Sequence, residues 1–305
     1  MAGCQGASAN APPVFVPTPS PSPTPAPQHL YVGGNNAPAS ILQFTLPVTA
    51  TSTPNFAIAA GNYVVTVAVD VSGNLAAGDS AGNLKFFAAP LSGASTPAAA
   101  FKNGPAATDW QNVFAATGEL FAATGGNAVN RFTPPFANAS TPSATIANPA
   151  LTSAIGTAFD AAQNLYISNV GPTGSNIFVY APPYTGVPIV TPIQPGILGM
   201  GPSAAFYRHL AVSATQLFVS SASGSGRVDV YALPITAASA PAFAITNSMA
   251  GPEGLALDAA GNLYVANFNA YTIRVYAPPF SASSAPTVTL TLVGGIVPYG
   301  IAVGR

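Results

Sequence analysis

Charge is what this chain has least of. Seven lysines and arginines and eight aspartates and glutamates leave 5% of its 305 residues charged, with a net charge of −1; roughly 25% charged is usual for a globular protein. No basic stripe exists to neutralise phosphates, so nucleic acid is excluded as a partner class. A single cysteine excludes an internal disulfide framework. No run of apolar residues free of turn formers is long enough for a membrane-spanning helix. Disorder along the whole chain is excluded too, because 49% of residues are apolar and 10% aromatic, enough to build a core. A surface this poor in carboxylates has few to protonate in acid. The composition therefore carries an expectation of a protein that works outside the cell and tolerates an acidic medium.

What the chain has in quantity is repetition. The clearest unit reads GLALDAAGNLYVAN from Gly254 to Asn267, followed by TIRVYAPPF from Thr272 to Phe280. The leucine of its NLYV step returns as Leu30, Leu75, Leu120, Leu165, Leu217 and Leu263, at spacings of 45, 45, 45, 52 and 46 residues. Such a period is that of β-propeller blades. Each unit predicts four strands. A first strand (GLAL, Gly254 to Leu257) turns through a D-x-x-x-N step into NLYV, which alternates as a half-buried strand does. The third strand is apolar and ends in an aromatic: ILQF, LKFF, VNRF, IFVY, VDVY and IRVY. Prolines follow it in nearly every copy (Pro90, Pro135, Pro183, Pro234, Pro279), where no ladder hydrogen bond is needed. A short fourth strand closes the unit (AFAI, Ala242 to Ile245). Asp70, Asp160 and Asp258 recur, yet each opens a turn that its own side chain can cap, which makes them structural. The first copy lacks a first strand, and the chain ends on Tyr299-Gly300-Ile301-Ala302-Val303, a first strand without a blade. The prediction is an all-β, six-bladed propeller over 29–305, in which the C-terminal strand completes the first blade.

GPEGLALDAAGNLYVAN followed by IRVY resembles NHL repeats and the related six-bladed propellers of the gluconolactonase and lyase group. The resemblance spans about residues 29–305 and is sharpest in the sixth copy. It implies ligand binding at the mouth of the central channel. For the enzymes of the group it implies hydrolase or lyase chemistry on a sugar-derived or lactone substrate, with a divalent metal held by Glu, Asp and Asn from several blades. Glu253 matches their glutamate. Asp109 stands one residue out of register, and the six or so oxygens that calcium needs are not assembled, so neither a metal nor a cofactor is expected. The lyase members place histidine beside acid groups, and His209 is the residue in reach of that role.

Residues 1–28 read differently. Met1-Ala2-Gly3-Cys4 resembles a bacterial lipoprotein lipobox in all but its first position. The expectation is that Met1 stands for an alternative start inside that box and that Cys4 carries a lipid. Pro12 to Gln28, PPVFVPTPSPSPTPAPQ, is a Pro/Ser/Thr-rich tether of extended polyproline character. The layout implies an extracytoplasmic protein anchored at the cell surface or outer membrane, touching membrane only through Cys4. Gln5 after the cysteine resembles the outer-membrane sorting pattern.

Aligning the copies on Gly254 brings Val65, Trp110, Ile155, Arg208, Glu253 and Tyr299 to one ring position just before the first strand. Asp109 and Tyr207 stand one residue earlier, Gln111 and His209 one later. The only Trp, one of two His, one of seven basic residues and two of eight acids converge there. Two readings stand. In one, Arg208 and Glu253 form an ion pair and Trp110 plugs the channel. In the other, Trp110, Asp109, Tyr207, Arg208, His209, Glu253 and Tyr299 form a shallow site where an aromatic face stacks a glycan, peptide or protein partner and charged groups orient it. The function expected first is that of a non-enzymatic, surface-tethered binding propeller. An extracytoplasmic hydrolase or lyase comes second, and a structural surface-layer component third.

Overall fold

The computed structural model describes residues 27–34, 39–61, 63–104, 109–171, 174–185, 187–193, 207–222 and 226–305. These form six four-stranded antiparallel sheets arranged as the blades of a ring. The first blade comprises, from the inside outward, Pro298–Gly304, His29–Gly34, Ala39–Thr45 and Phe56–Gly61. The C-terminal strand thus closes the ring as the repeat predicts, pairing Leu30 with Val303 and Val32 with Ile301. The innermost strands of blades two to six are Val64–Val69, Asn112–Phe114, Ala154–Phe159, Tyr207–Val212 and Pro252–Leu257.

The repeated leucine and the aromatic that ends each third strand turn out to be one device. They face each other across the sheet in every blade: Leu30 with Phe44, Leu75 with Phe87, Leu120 with Phe132, Leu165 with Tyr180, Leu217 with Tyr231 and Leu263 with Tyr276. All twelve are 0–1% exposed. Cross-strand pairs of this kind are the unit of sheet stabilisation. Three residues after each aromatic comes a cis proline: Pro47, Pro90, Pro135, Pro183, Pro234 and Pro279. The apolar core lies between blades rather than within any one of them. Six clusters divide among the six seams, such as Leu30, Val32 and Phe44 against Tyr264, Ile273 and Leu290 where blades one and six meet.

The recurrent aspartates are the turn clasps the sequence suggests. Asp70 Oδ1 accepts from the Asn74 backbone N at 2.9 Å, and Oδ2 accepts from the Asn74 side-chain amide at 2.8 Å. Asp160 and Asp258 repeat the pattern with Asn164 and Asn262. Asp79, in the same D-x-x-x-N spacing, clasps Asn83 at the opposite end of its blade.

Cys4 and most of the Pro-rich tether lie outside the described residues. Gln28 already belongs to the propeller. Its carbonyl accepts from Leu46 N at 2.9 Å, and its side-chain Oε1 accepts from Ala259 N at 2.9 Å. The chain therefore enters the ring at the end where the innermost strands finish. Among the described residues, no helix is long and apolar enough to cross a membrane.

Candidate functional site at the channel mouth

The ring position lies at the start of the innermost strands, at the end of the channel opposite to Gln28. In five blades it falls inside the strand rather than before it; Trp110 alone precedes its strand. At this point the inner strands lose register with their neighbours, between Val64 and Thr66, Ala154 and Gly156, Tyr207 and Leu210, and Pro252 and Leu255. Bulges of this kind re-aim side chains, and here they turn two consecutive residues of the fifth blade, Arg208 and His209, toward the same group.

Arg208, Glu253, Trp110 and Tyr299 come together as the alignment predicts. Arg208 Nε lies 3.7 Å from Glu253 Oε2, and its guanidinium sits 5.3 Å from the centre of the Trp110 ring, a cation–π arrangement. Tyr299 lies 6.2 Å from Trp110 and 5.8 Å from His209, ring centre to ring centre. Trp110 and Arg208 are part-exposed, whereas Glu253, Tyr299 and His209 behind them are buried. Burial raises the Glu253 carboxyl to about 7, against the opposing pull of Arg208 and a hydrogen bond from Tyr299. Burial also raises the Tyr299 phenol, helped by the Glu253 charge. His209 is pushed the other way, down to about 3, by burial and then by the Arg208 charge, although it hydrogen-bonds the Trp110 backbone. The mouth thus holds a neutral imidazole beside a carboxyl that titrates near neutrality.

Asp109 and Tyr207 are not brought to this group. Tyr207 is fully buried in the seam between blades four and five. Its hydroxyl bonds Asp229 Oδ2 at 3.1 Å and the Tyr231 hydroxyl at 2.7 Å. Asp109 turns into the seam between blades two and three and accepts from the Asn103 and Asn112 side-chain amides at 3.0 and 2.8 Å. Gly78 makes room for it, since a β-carbon there would fall on the carboxylate. Burial raises its carboxyl well above the usual range.

Three residues absent from the predicted site build its support. Gln111 reaches across the channel. Its Oε1 accepts from Thr157 N at 2.9 Å and Leu210 N at 3.0 Å, and its Nε2 donates to Leu210 O at 3.1 Å. Below it, toward the Gln28 end, the channel holds a cavity of ≈ 240 Å³ walled by the last residues of the inner strands. Ser168 and Ser220 staple successive blades. Ser168 Oγ accepts from Gly156 N and donates to Arg208 O at 2.6 Å. Ser220 Oγ accepts from His209 N at 2.9 Å and donates to Glu253 O at 2.7 Å. The sequence signal was a serine in YISN and FVSS where YVAN has alanine. Because Ser220→Ala strands a buried N–H and a buried carbonyl, it is expected to cost about 2 kcal/mol in urea unfolding. It should also shift the Glu253 titration, which a merely local defect would leave in place.

The metal implied by the lactonase resemblance does not fit these residues. One carboxylate faces the mouth, its partner there is a guanidinium, and Asp109 is committed to another seam. Among the described residues no three His, Cys, Asp or Glu side chains converge on a point.

No protein-family model matches the chain, and no curated protein does. Solved structures do. A Bacteroides caccae protein of unknown function aligns with a TM-score of 0.67 at 11% identity, over 92% of this chain and all of its own. A periplasmic gluconolactonase from Pseudomonas aeruginosa aligns with a TM-score of 0.60 at 14% identity, over 92% of this chain and 99% of that one. A Bacteroides uniformis protein provisionally named a 6-phosphogluconolactonase scores 0.61 at 13% identity, over 91% and 99%. At these identities the likeness is one of fold: the chain is a six-bladed β-propeller, similar in architecture to lactonase propellers.

Proposed function

We propose that the protein is a non-enzymatic binding propeller, tethered at the cell surface through Cys4, that takes a glycan, peptide or protein partner at the channel mouth. One observation carries the reading. In a chain with so little charge, an arginine lies between a tryptophan face and a carboxylate, part-exposed, over a buried layer of Tyr299, His209 and Ser220 that fixes their positions. A supported first layer of this kind is what binding sites require. The entry of the chain at Gln28 adds to it, because a tether leaving from that end turns the mouth away from the anchoring surface. Trp110→Ala and Arg208→Ala are each expected to weaken partner binding by about tenfold or more while the thermal midpoint stays within a few degrees. Isothermal titration against glycan and peptide panels reads the first, and calorimetry the second. Unchanged affinity in both variants sinks the reading.

The lactonase-type alternative draws on Glu253, a carboxyl held near neutrality as a general acid or base should be. Turnover of a lactone that is lost in Glu253→Gln would favour it over simple binding.

A further inference from the structure

The seams between blades are closed at the Gln28 end by three devices. One is a ring that follows the cis proline and packs on a ring of the preceding blade. Phe136 stands on Phe86, Tyr184 on Phe121 and Phe280 on Phe218, with ring centres 4.8, 5.1 and 5.1 Å apart. The second is a glutamine two residues before the repeated leucine, whose side-chain carbonyl accepts from the turn of the preceding blade. Gln28 takes Ala259 N and Gln163 takes Ala116 N, both at 2.9 Å. The third is the chain end: between blades one and two, Arg305 O lies 3.1 Å from where a Gly73 β-carbon would be.

The seam between blades four and five has none of these. Ile235 follows its cis proline and Thr215 stands in the glutamine position. The equivalent turn N–H, that of Ala161, has no partner among the described residues. A cavity of ≈ 370 Å³ opens there, walled by Tyr166, Val179, Leu233 and Ile235, with Ala161 beside them. Ile189 lines it as well and is 59% exposed, its backbone N–H held by Val179 O at 2.8 Å. An apolar groove with one free amide donor suits a peptide segment that offers a carbonyl and an aromatic side chain. The chain carries such a segment. Among residues 5–27, Val14-Phe15-Val16 stand alone among Ala, Pro, Ser, Thr, Gly, Asn and Gln, a composition with no core for them to join. They lie outside the described residues, and thirteen residues separate Phe15 from Gln28, a reach of about 40 Å in polyproline form. The two seams are a third of a turn apart on one face of a ring about 50 Å across, which is roughly 30 Å inside its rim.

We propose that Val14-Phe15-Val16 docks in the seam between blades four and five of its own chain. The Phe15 ring takes the place on Tyr166 that Phe280 takes on Phe218, and a carbonyl of the segment accepts from Ala161 N. A chain anchored at Cys4 then keeps eleven residues of span, about 35 Å, instead of twenty-four, about 75 Å, so this groove sets how far the mouth stands from the anchoring surface.

Phe15 is the one aromatic among residues 5–27, so chymotrypsin cleavage after it, followed on the full chain by mass spectrometry, reads docking. Thr215→Gln with Ile235→Phe gives this seam the closures that the others have and should fill the groove. Cleavage at Phe15 should then run about tenfold faster than in the wild type, as release of a segment docked about nine-tenths of the time requires. The wild-type rate should not change with protein concentration, because the contact is intramolecular. Leu91→Phe adds a ring to the seam between blades one and two and should leave the rate at the wild-type value. Phe15→Ala leaves the propeller's own sequence intact. It should move the methyl resonances of Val179, Leu233 and Ile235, which lose the ring-current shift, and leave those of Val48 and Leu91 in place. Equal cleavage rates with the groove open and filled, or methyl resonances unmoved by Phe15→Ala, overturn the proposal. Protection that grows with concentration overturns it too, since the segment would then be docking on a second copy.

Discussion

Gly254→Ala should lower stability by about 3 kcal/mol, the upper end of what overpacking usually costs. A β-carbon at Gly254 would stand 2.3 Å from the Tyr299 carbonyl oxygen and 2.8 Å from Ile301 N. Both are backbone atoms of the strand that closes the ring, so no side-chain rotation can relieve the clash. The sixth and first blades must separate, and that seam carries both the closure and the mouth, since Glu253 precedes Gly254 and Tyr299 sits on the facing strand. Urea unfolding measures the stability, and Trp110 fluorescence should shift as Tyr299 moves. Gly294→Ala is the control. That glycine has φ +74° but open space around its missing side chain, so only the backbone penalty of about 1 kcal/mol applies. A loss below about 1 kcal/mol for Gly254→Ala would mean that the two inner strands part freely there.

The same contact explains why the sequence could be aligned on Gly254 at all. A β-carbon at Gly156 would meet Arg208 O at 2.4 Å, and one at Gly300 would meet Val65 O at 2.7 Å. In these three blades the glycine lets the next inner strand approach. In the third and fifth blades the equivalent positions hold Gln111 and His209, and the side chains go into the channel instead. Blade count, closure and the leucine–aromatic pairs were therefore legible, because they repeat and obey a period of two. The bulges were not, because a local loss of register leaves no mark on periodicity. This is why Tyr207, adjacent in sequence to Arg208, is expected at the mouth and lies in a seam; Asp109 precedes its strand, where alternation gives no guide, and turns into the space that Gly78 leaves. Regular alternation would send Arg208 and His209 to opposite sides; the bulge between Tyr207 and Leu210 brings both to the mouth. Ser168 and Ser220 were visible only as departures from alanine, and their role depends on carbonyls of a neighbouring blade that no single repeat contains.

Low charge suggested acid tolerance, yet that argument counts exposed carboxylates and overlooks one buried histidine. His209 titrates near 6.5 in the unfolded chain and near 3 in the folded protein. Between those values the unfolded chain holds the extra proton. The His209 contribution is thus complete above about pH 6.5 and is lost as the pH falls toward 3. At about 1.4 kcal/mol per unit this amounts to something on the order of 5 kcal/mol. Glu253 runs the other way. Raised to about 7 from 4.5, it holds the extra proton in the folded state, so its contribution is complete below 4.5 and lost as the pH rises through 7. Asp109, also raised, has the sign of Glu253. Between pH 4.5 and 6.5 the two carboxyl slopes oppose and mask that of His209, and the net fall should come below about pH 4.5. His209→Gln isolates the effect, with Gln111 as precedent for a glutamine at that ring position. Thermal or urea unfolding of both proteins from pH 7 to 3 gives two curves whose difference cancels the groups they share. The variant should gain several kcal/mol on the wild type across that range, and its stability should rise as the pH falls from 7 to 4.5, where Glu253 and Asp109 act unopposed by the histidine. Parallel curves would mean that His209 is protonated in the folded protein at no cost, which requires water to reach the imidazole and the layer beneath Trp110 and Arg208 to be open rather than sealed.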